Sequence, residues 1–393
     1  MSTASDSSFR RRHRSGRVRA FWESVTEGAE LNQLWGQFIS EARASYRLYS
    51  ADVDWNEIDS QSRGRIGRFI RAVWALFRAM LMMLSPSRRV LLLLAIVLLM
   101  LPPSIRLNHF PEFSFEINVR GWGIAILFIL LALELADRVT MKRDLVIARE
   151  IQEWLVPEHP PNVPGLDIAF ATRPQNTVAG DYYDAFLRPV PVHDTGRKPL
   201  LVAVADVAGK SVPAALLMAT FQASLQALSA TSGTLDEIVN GLDRYCRAHS
   251  LEGRRFTTAF LAEIDVETHE MRYVNAGHNE PILRRASGAI ERLSTGGPPF
   301  GIPVFTQTPV PYPSGRVRLQ AGDVLFIFTD GVVEAVNDAE QEFGEARLLR
   351  CFQSAPPESA DATLSRVMSE VNAFVGTARQ FDDITSFVVR VGA

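Results

Sequence analysis

The segment at residues 200–219, LLVAVADVAGKSVPAALLMA, constrains the fold of this chain more than any other. Residues 200–205 are a short apolar run of strand length, which predicts a buried strand. Asp206 ends this run, Gly209 and Ser211 supply a turn, and a proline stands where a helix is expected to begin. A carboxylate at the tip of a buried strand is held rigidly, as a metal ligand must be. The alternative interpretation is that Asp206 only caps the turn.

Similar acidic positions recur at three other turns or strand ends. Asp181 lies within AGDYYDAF, Asp330 follows VLFIFT, and Asp382 and Asp383 precede ITSFVVRV. Mg²⁺ and Mn²⁺ prefer oxygen ligands, and two such ions need carboxylates from several strands. The chain has no His/Cys cluster that would favour zinc. The pattern therefore predicts a two-metal centre that hydrolyses a phosphate ester.

Composition and charge divide the chain into four predicted regions. Residues 1–65 are polar, with an arginine-rich tract and short helical patterns, and are expected to lie in the cytoplasm. Residues 66–137 contain membrane-associated helices, residues 138–157 a linker helix, and residues 158–393 a domain of short strands and helices. The net charge of −3 indicates no nucleic-acid partner.

Residues 66–137 predict a transmembrane hairpin. Residues 67–84 are apolar with arginines seven residues apart, which is typical of a helix in a membrane interface or of a buried amphipathic helix. Two uncharged runs follow at residues 90–101 and 121–133, each shorter than the roughly 20 residues that span a bilayer. Basic residues flank the pair on its outer sides, which places both chain ends in the cytoplasm. The alternative is that residues 66–136 are buried in a soluble regulatory domain.

The second apolar run continues without Gly or Pro up to Pro157. This predicts one continuous helix that leaves the membrane, with apolar positions such as Ile147 and Ile151 available to pair with a second copy. A solitary helix packed on the next domain is the alternative. The Pro-rich stretch at residues 157–164 then marks a domain boundary.

The remaining chain predicts an α+β domain, because its strands and helices occur in clusters instead of alternating strictly. Strands are expected at residues 167–172, 200–205, 256–264, 271–276, 324–328 and 384–391, and helices at residues 214–230, 235–248, 343–351 and 362–374.

Many of these segments together resemble the RsbU/SpoIIE-type bacterial serine/threonine phosphatases of the metal-dependent, type-2C-like (PPM) superfamily. The resemblance covers about residues 148–391 and rests on AREIQEWLVPEHPPNVPGLDIA, VAGDYYDAF, VADVAGKSVPAALLMA, FTTAFLAEID, YVNAGHNEPIL, GPPFGI, AGDVLFIFTDGVVEAVN and DDITSFVVRV, in that order. It implies an α-β-β-α sandwich that holds two Mn²⁺ or Mg²⁺ ions between its central sheets.

The resemblance also implies the roles of individual residues. Hydrolysis of phosphoserine or phosphothreonine by metal-activated water would involve four catalytic aspartates, and the metal ligands would include the Val207 carbonyl, with Asp383 as a supporting group or alternate ligand. Glycines would allow close backbone approach around the metals. The catalytic aspartates are Asp181, Asp206, Asp330 and Asp382, and the glycines are Gly180, Gly209 and Gly331.

Two departures from the family pattern lie near these residues. Ala179 replaces a glycine in the usual GGD, and little loss is expected. Ser211 replaces a glycine in the usual GKG, where a positive φ is needed, so the turn is expected to change. For His278 in NAGHN a structural role is at least as well supported as general-acid catalysis, and Arg173 is expected to be a surface residue instead of a phosphate contact.

The sequence thus predicts a signalling protein phosphatase anchored in the bacterial inner membrane, with its catalytic domain in the cytoplasm. The resemblance implies a phosphorylated regulatory protein, such as an anti-sigma-factor antagonist, as the substrate. A second copy bound through the linker helix is the other expected partner. The alternative is a membrane-tethered scaffold that binds phosphoproteins through an inactive phosphatase-like domain.

Overall fold

A computed structural model describes residues 65–110, 113–189, 198–250, 255–302, 311–355 and 358–392. These residues form two compact units, which meet in the chain between Arg138 and Val139. The N-terminal basic tract and the short helices expected before residue 65 lie outside the described residues.

The first unit contains helices α1 (Arg65–Met83) and α2 (Pro86–Met100), strands β1 (Ser104–Phe110) and β2 (Phe113–Asn118), and the start of helix α3 (Val119–Leu155). The strands pair antiparallel in a two-stranded ribbon between the two apolar helices. From the sequence, residues 106–120 were expected to be a loop compatible with a short hairpin, and no strands were assigned to it. The alternating pattern of SIRLNHF favours a strand, but seven residues beside a proline gave a weak signal.

Helices α2 and α3 pack together as an antiparallel pair within the first unit. A methyl group added at Gly123 would lie 3.2 Å from the Ala95 carbonyl oxygen, and Ala95 is fully buried. At the other end, Arg88 Nη1 lies 2.6 Å from Asp137 Oδ2. Small residues at one end and an ion pair at the other therefore set the alignment of the pair.

Large apolar side chains cover the outer surface of this pair, including Val90, Val97, Phe128 and Leu131. Within the described ranges, two helices are long and apolar enough to cross a membrane, namely α3 and helix α4 (Ser211–Thr231) of the second unit. Helix α4 buries Met218, Phe221 and Leu225 against a sheet, so it is a core helix. Helix α2 has 15 residues and is about 22 Å long, which is shorter than the roughly 30 Å hydrocarbon core.

The second unit holds two β-sheets. One has the order β10-β7-β6-β5-β4, with β11 also paired to β7, on the same edge as β10. The other has the order β3-β13-β12-β8-β9. The strands of the first sheet are β4 (Asp181–Leu187), β5 (Leu200–Val207), β6 (Thr257–Ile264), β7 (Glu270–Ala276), β10 (Gly296–Gly297) and β11 (Gly315–Arg318). Those of the second are β3 (Leu166–Arg173), β8 (Ile282–Arg284), β9 (Ile290–Arg292), β12 (Val324–Phe328) and β13 (Ile384–Val391).

Helices cover the outer faces of both sheets. Helix α4 and helix α5 (Leu235–Ala248) pack on the first sheet, and helices α7 (Glu345–Ser354) and α8 (Ala360–Val375) pack on the second. A short helix α6 (Asp330–Val333) follows β12 directly. The second unit is therefore an α-β-β-α sandwich, which confirms the α+β class predicted from the pattern and the architecture implied by the family resemblance.

Strand β5 is buried on both faces, which explains why residues 200–205 are an unbroken apolar run. Successive side chains of a strand point to opposite faces. Leu200, Val202 and Val204 pack between the two sheets, whereas Leu201 and Ala203 pack against the helices α4 and α5. Both faces of β5 are buried, and the strand holds Asp206 rigidly at its end.

Candidate metal centre

Two of the predicted aspartates face each other across neighbouring strands of the first sheet. Asp181 begins β4 and Asp206 lies near the end of β5, and the antiparallel register pairs the two residues directly. Directly paired residues carry their side chains on the same face, with Cβ atoms about 5 Å apart. This face is the one that carries Tyr183 and Val204 into the space between the sheets. Two carboxyl groups are thus held together at the edge of the core.

The other predicted aspartates reach the same edge from the second sheet. Asp330 follows β12, and Asp382 and Asp383 directly precede β13, the strand paired with β12. Thr329 bridges the two sheets, since its hydroxyl donates a hydrogen bond of 2.9 Å to Asp181 Oδ2 and accepts one from the Thr385 amide. The sandwich therefore brings all five predicted carboxylates to one place.

Asp383 organises the loop before β4. Its Oδ1 accepts a hydrogen bond of 2.6 Å from the Gln175 amide, and its Oδ2 accepts one of 2.6 Å from the Gly180 amide. Both carboxylate oxygens are engaged with backbone donors. This geometry favours the supporting role for Asp383 over that of a direct ligand.

The electrostatics of the cluster raise the pKa of several of its carboxyls. Burial, followed by repulsion from Asp206 and Asp383, raises the pKa of Asp181 well above its usual range. Burial, followed by repulsion from Asp330 and other nearby carboxylates, raises the pKa of Asp206 to about 7. The pKa of Asp330 is also raised, by burial and then by Asp382. Crowded carboxylates of this kind are stabilised by bound cations.

The donor chemistry fits hard divalent ions, although the described residues contain no group of three ligand side chains already set around one ion. Several carboxylates currently have other partners. Asp383 binds backbone amides, and Asp382 Oδ2 accepts a hydrogen bond of 2.9 Å from Lys210 Nζ. An all-oxygen donor set of this kind, drawn from two sheets, is the one that Mg²⁺ and Mn²⁺ prefer.

Two glycines allow backbone segments to approach each other closely around the carboxylates. A methyl group added at Gly180 would lie 3.3 Å from the Val207 carbonyl oxygen, so this carbonyl borders the same edge as the carboxylates. A methyl group at Gly331 would lie 1.9 Å from the Asp383 carbonyl oxygen. Since backbone atoms cannot yield by that distance, residue 331 must be glycine for the segment before β13 to reach its position.

The turn after β5 accommodates the departure at Ser211 through a left-handed backbone conformation. Ser211 has a φ of +62°, in the left-handed region that favours glycine, and Gly209 has a φ of +124°. The expectation that this position needs a positive φ is confirmed. Serine itself adopts the left-handed conformation at this position, at an energetic cost. The structure therefore gives no reason to assume an altered turn.

Substitutions at Ser211 should reveal this cost. We expect Ser211→Gly to leave the free energy of unfolding unchanged or to raise it by up to about 1 kcal/mol, because glycine adopts a positive φ without strain. Ser211→Val should lower it by more than about 1 kcal/mol, because a branched side chain strongly disfavours this region. Thermal unfolding in detergent measures both. Equal stability of the two variants would contradict a left-handed Ser211.

The other departure, Ala179, lies in the loop before β4 and contacts helix α3. Gln152 near the end of this helix accepts a hydrogen bond of 2.9 Å from the Ala179 amide and donates one of 2.7 Å to the Ala179 carbonyl. Both bonds involve only the backbone of residue 179, which explains why alanine can replace glycine there. The linker helix is thereby tied to a loop two residues from Asp181.

His278 occupies a structural position. It is 6% exposed, and burial lowers the pKa of its imidazole to about 4, so the ring is neutral near pH 7. Its amide donates to Asn275 Oδ1 at 2.7 Å, and its Nδ1 lies 3.0 Å from Thr258 Oγ1. A buried neutral imidazole is a poor general acid, which supports the structural interpretation.

Sequence analysis did not single out Lys210, Thr329 and Gln152 as residues of the site. Lys210 lies in the motif next to Ser211, and Thr329 directly precedes Asp330. Their closeness in sequence to predicted site residues could have identified both as candidates. The contact of Gln152 with Ala179 has no signal in one sequence, because a helical glutamine is ordinary.

The fold and the site define a metal-dependent phosphatase architecture of the type-2C class, and the comparisons agree. The Stage II sporulation protein E (SpoIIE) family matches residues 196–392, just over half of the chain. The chain belongs to this family. The resemblance to RsbU/SpoIIE-type phosphatases is therefore confirmed.

Individual relatives cover different parts of the chain. Protein IcfG of Synechocystis is 27% identical over 290 residues, which is 66% of this chain and 43% of the relative. Phosphoserine phosphatase RsbU of Bacillus subtilis is 28% identical over 196 residues, which is 49% of this chain and 54% of the relative. The chain thus spans about half the length of these curated relatives.

Among solved structures, the SiaA-PP2C domain of Pseudomonas aeruginosa has a similar fold, with a TM-score of 0.56. It is 19% identical and covers 65% of this chain and 98% of that domain. At this identity the likeness confirms the fold, and the roles of individual residues rest on the geometry described above.

Proposed function

We propose that the second unit is a metal-dependent protein phosphatase that hydrolyses phosphoserine or phosphothreonine. The observation that carries this proposal is the direct pairing of Asp181 with Asp206, joined by the acids of the second sheet. The names of the relatives RsbU and RsbP, both phosphoserine phosphatases, support the same reaction class.

In this proposal the chain holds two Mg²⁺ or Mn²⁺ ions through carboxylates and one carbonyl. The ligands are Asp181, Asp206, the Val207 carbonyl, Asp330 and Asp382, with Asp383 as a supporting group or alternate ligand. When bound, such ions would supply Lewis acidity and would lower the pKa of a water for attack on phosphorus. Thr329 orients Asp181, and Asp383 fixes the loop before β4, so the chain itself preorganises the ligand positions.

We propose a regulatory phosphoprotein as the substrate, and an anti-sigma-factor antagonist as the most specific candidate. This finer step rests on the family resemblance. The test is phosphate release by the full chain, in detergent, from a protein that carries phosphoserine. We expect release with Mn²⁺ and none with a chelator. If the protein is a scaffold, the same phosphoprotein should bind but should not lose its phosphate, whichever divalent metal is added.

We also propose that the first unit anchors the protein in the bacterial inner membrane, with the phosphatase domain in the cytoplasm. The antiparallel pair of α2 and α3, its exposed apolar surface and the basic residues at its outer ends support this placement. The short α2 requires snorkelling flanks or a locally thinned bilayer. Membranes should retain the protein after washing at high salt and release it only with detergent.

Helix α3 is proposed to pair with a second copy and to connect that pairing to the metal centre. Ile147 and Ile151 are about half exposed, and Gln152 on the same helix holds the loop that precedes Asp181. An exposed apolar stripe on a long helix favours a helix–helix interface.

Replacing Ile147 and Ile151 together with Asp should abolish self-association, because two charges would be placed in the apolar contact. Light scattering in detergent should change from the mass of a dimer to that of a monomer. Lys142→Asp, a charge change on the opposite side of the helix, is the matched control and should remain a dimer. An unchanged mass for the double variant would count against the proposed interface.

A further inference from the structure

Helix α1 has an exposed apolar face, although it lies directly before the apolar helix α2. The side chains on this face are each more than half exposed, namely Phe69, Ile70, Val73 and Trp74. Their spacing of three and four residues places them on one side of the helix. The rings of Trp74 and Phe77 stack with their centroids 5.8 Å apart. A continuous row of large exposed apolar side chains indicates a surface that binds a partner.

Another side of α1 carries positive charge. Arg71 and Arg78 are seven residues apart, so they share one side of the helix, and both are exposed. Four of the 19 residues of α1 are arginine, which disfavours a helix that crosses the hydrocarbon core. The sequence contains no acidic residue from residue 60 to residue 111. An apolar side and a basic side on one helix are typical of a helix that lies in the plane of a membrane interface.

The end of α1 is fastened to the first turn of α2. Only two residues separate the helices, and Ser85 has an extended backbone with φ −61° and ψ 151°, so α1 does not continue into α2. The guanidinium of Arg89 donates a hydrogen bond of 2.7 Å to the Leu84 carbonyl and another to the Met82 carbonyl. These bonds satisfy carbonyls that a helix end leaves without partners. Since α2 is proposed to enter the bilayer at this end, α1 is held close to the bilayer surface.

The distribution of charge on α1 favours a lipid surface as its partner. The partner must be apolar where it meets one side of the helix and negatively charged where it meets the other. A bilayer interface supplies both layers, because the acyl chains lie directly below the headgroup phosphates. Arginine side chains can cover apolar surface with their stems while the charged ends reach those phosphates.

We propose that α1 is an interfacial helix that binds anionic phospholipids on the cytoplasmic side of the membrane. Its apolar face enters the boundary of the acyl chains, and Arg71 and Arg78 contact the headgroups. Of the two interpretations of residues 67–84 drawn from the sequence, this proposal adopts the membrane interface over the buried amphipathic helix. It deepens the proposed membrane anchoring of the first unit and rests on it for the position of α2.

The test places a fluorescent label on the full chain in vesicles whose acyl chains carry bromine, which quenches the label on contact. The native Cys246 and Cys351 are replaced by Ala, and one cysteine is introduced for labelling. We expect bromine to remove most of the fluorescence at Ile70→Cys and little at Ala75→Cys, the matched control on the other side of α1. Phe128→Cys, on the exposed surface of α3, reports on the hairpin itself and should also be quenched. Aqueous iodide should quench the three labels in the reverse order.

The role of lipid charge is measured with the label at residue 70. Quenching should be greater in vesicles of phosphatidylcholine mixed with phosphatidylglycerol than in phosphatidylcholine alone. Arg71→Gln combined with Arg78→Gln should remove most of this difference, because each arginine near an anionic surface changes the ratio of bound to free helix by about fivefold. Arg316→Gln combined with Arg350→Gln removes the same charge from exposed positions of the second unit and should leave the difference unchanged.

Quenching at residue 128 without quenching at residue 70 would overturn the interfacial helix and leave the hairpin standing. If residue 70 is then also protected from iodide, a protein segment covers the apolar face instead. Quenching at residue 70 without quenching at residue 128 would support the interfacial helix and refute the hairpin. Equal quenching at residues 70 and 75, or no dependence on phosphatidylglycerol, would contradict the proposed binding of anionic lipid through two distinct sides of α1.

Discussion

Asp206→Asn and Asp330→Asn are each expected to reduce metal-dependent phosphate release by more than about 100-fold. Each substitution removes a proposed ligand charge, and losing even a group that only supports the ligands typically costs 10- to 100-fold. The measurement is the initial rate with a phosphoserine protein over a range of Mn²⁺ concentrations, because weakened metal binding can be partly offset by excess metal.

The control for this series is Asp361→Asn, an acid on the exposed first turn of α8. It should retain the parent rate. Both site variants should also remain folded, because each relieves repulsion among crowded carboxyls. Retention of more than a tenth of the parent rate by either site variant would contradict the assigned ligands.

The second large effect is an inverted dependence of stability on pH in the metal-free protein. The pKa of Asp206 is raised from the usual 3.8 to about 7 by burial and neighbouring carboxylates. A carboxyl with a raised pKa in the folded state binds its proton more tightly there than in the unfolded chain. Its contribution to stability is therefore complete below about pH 4 and is lost as the pH rises through about 7. The expected loss is on the order of 2–4 kcal/mol.

Thermal unfolding in a chelator at pH 5.5 and pH 7.5 measures this dependence. The parent should be less stable at pH 7.5 than at pH 5.5. Asp206→Asn should lose less stability over the same interval, because residue 206 then has no carboxyl group that must ionise while buried. Mg²⁺ should restore the parent at pH 7.5 and have little effect on the variant. Parallel changes in the parent and the variant would show that Asp206 does not carry the repulsion.

The elements with strong periodic patterns were predictable from the sequence. Strands β12 and β13 have the predicted bounds, and β5 differs only at its end. Strand β4 was not predicted, because AGDYYDAF carries a glycine and two acids that resemble turn signals. The structure buries Asp184 of this strand by satisfying it with hydrogen bonds from Tyr182, two residues away, and from Gln226 of helix α4. The contact with Gln226 spans 42 positions, and the local sequence does not encode it.

The candidate site was predictable in its residue types but not in its contacts. Acids at strand ends marked the carboxylates, because a sandwich brings such ends to a common edge. The pairing of Lys210 with Asp382 joins residues 172 positions apart, and the two amides on Asp383 come from residues 203 and 208 positions away. Contacts at such separations depend on how the two sheets stack, which no local pattern specifies.

The most direct test of the central claim is a calorimetric titration of Mg²⁺ into the full chain in detergent near pH 7.5. We expect two ions to bind per chain and protons to be released as the raised pKa values fall. Asp206→Asn should lose most of this binding. Binding of no divalent ion, or the same binding by the parent and by Asp206→Asn, would contradict a two-metal centre built from these carboxylates.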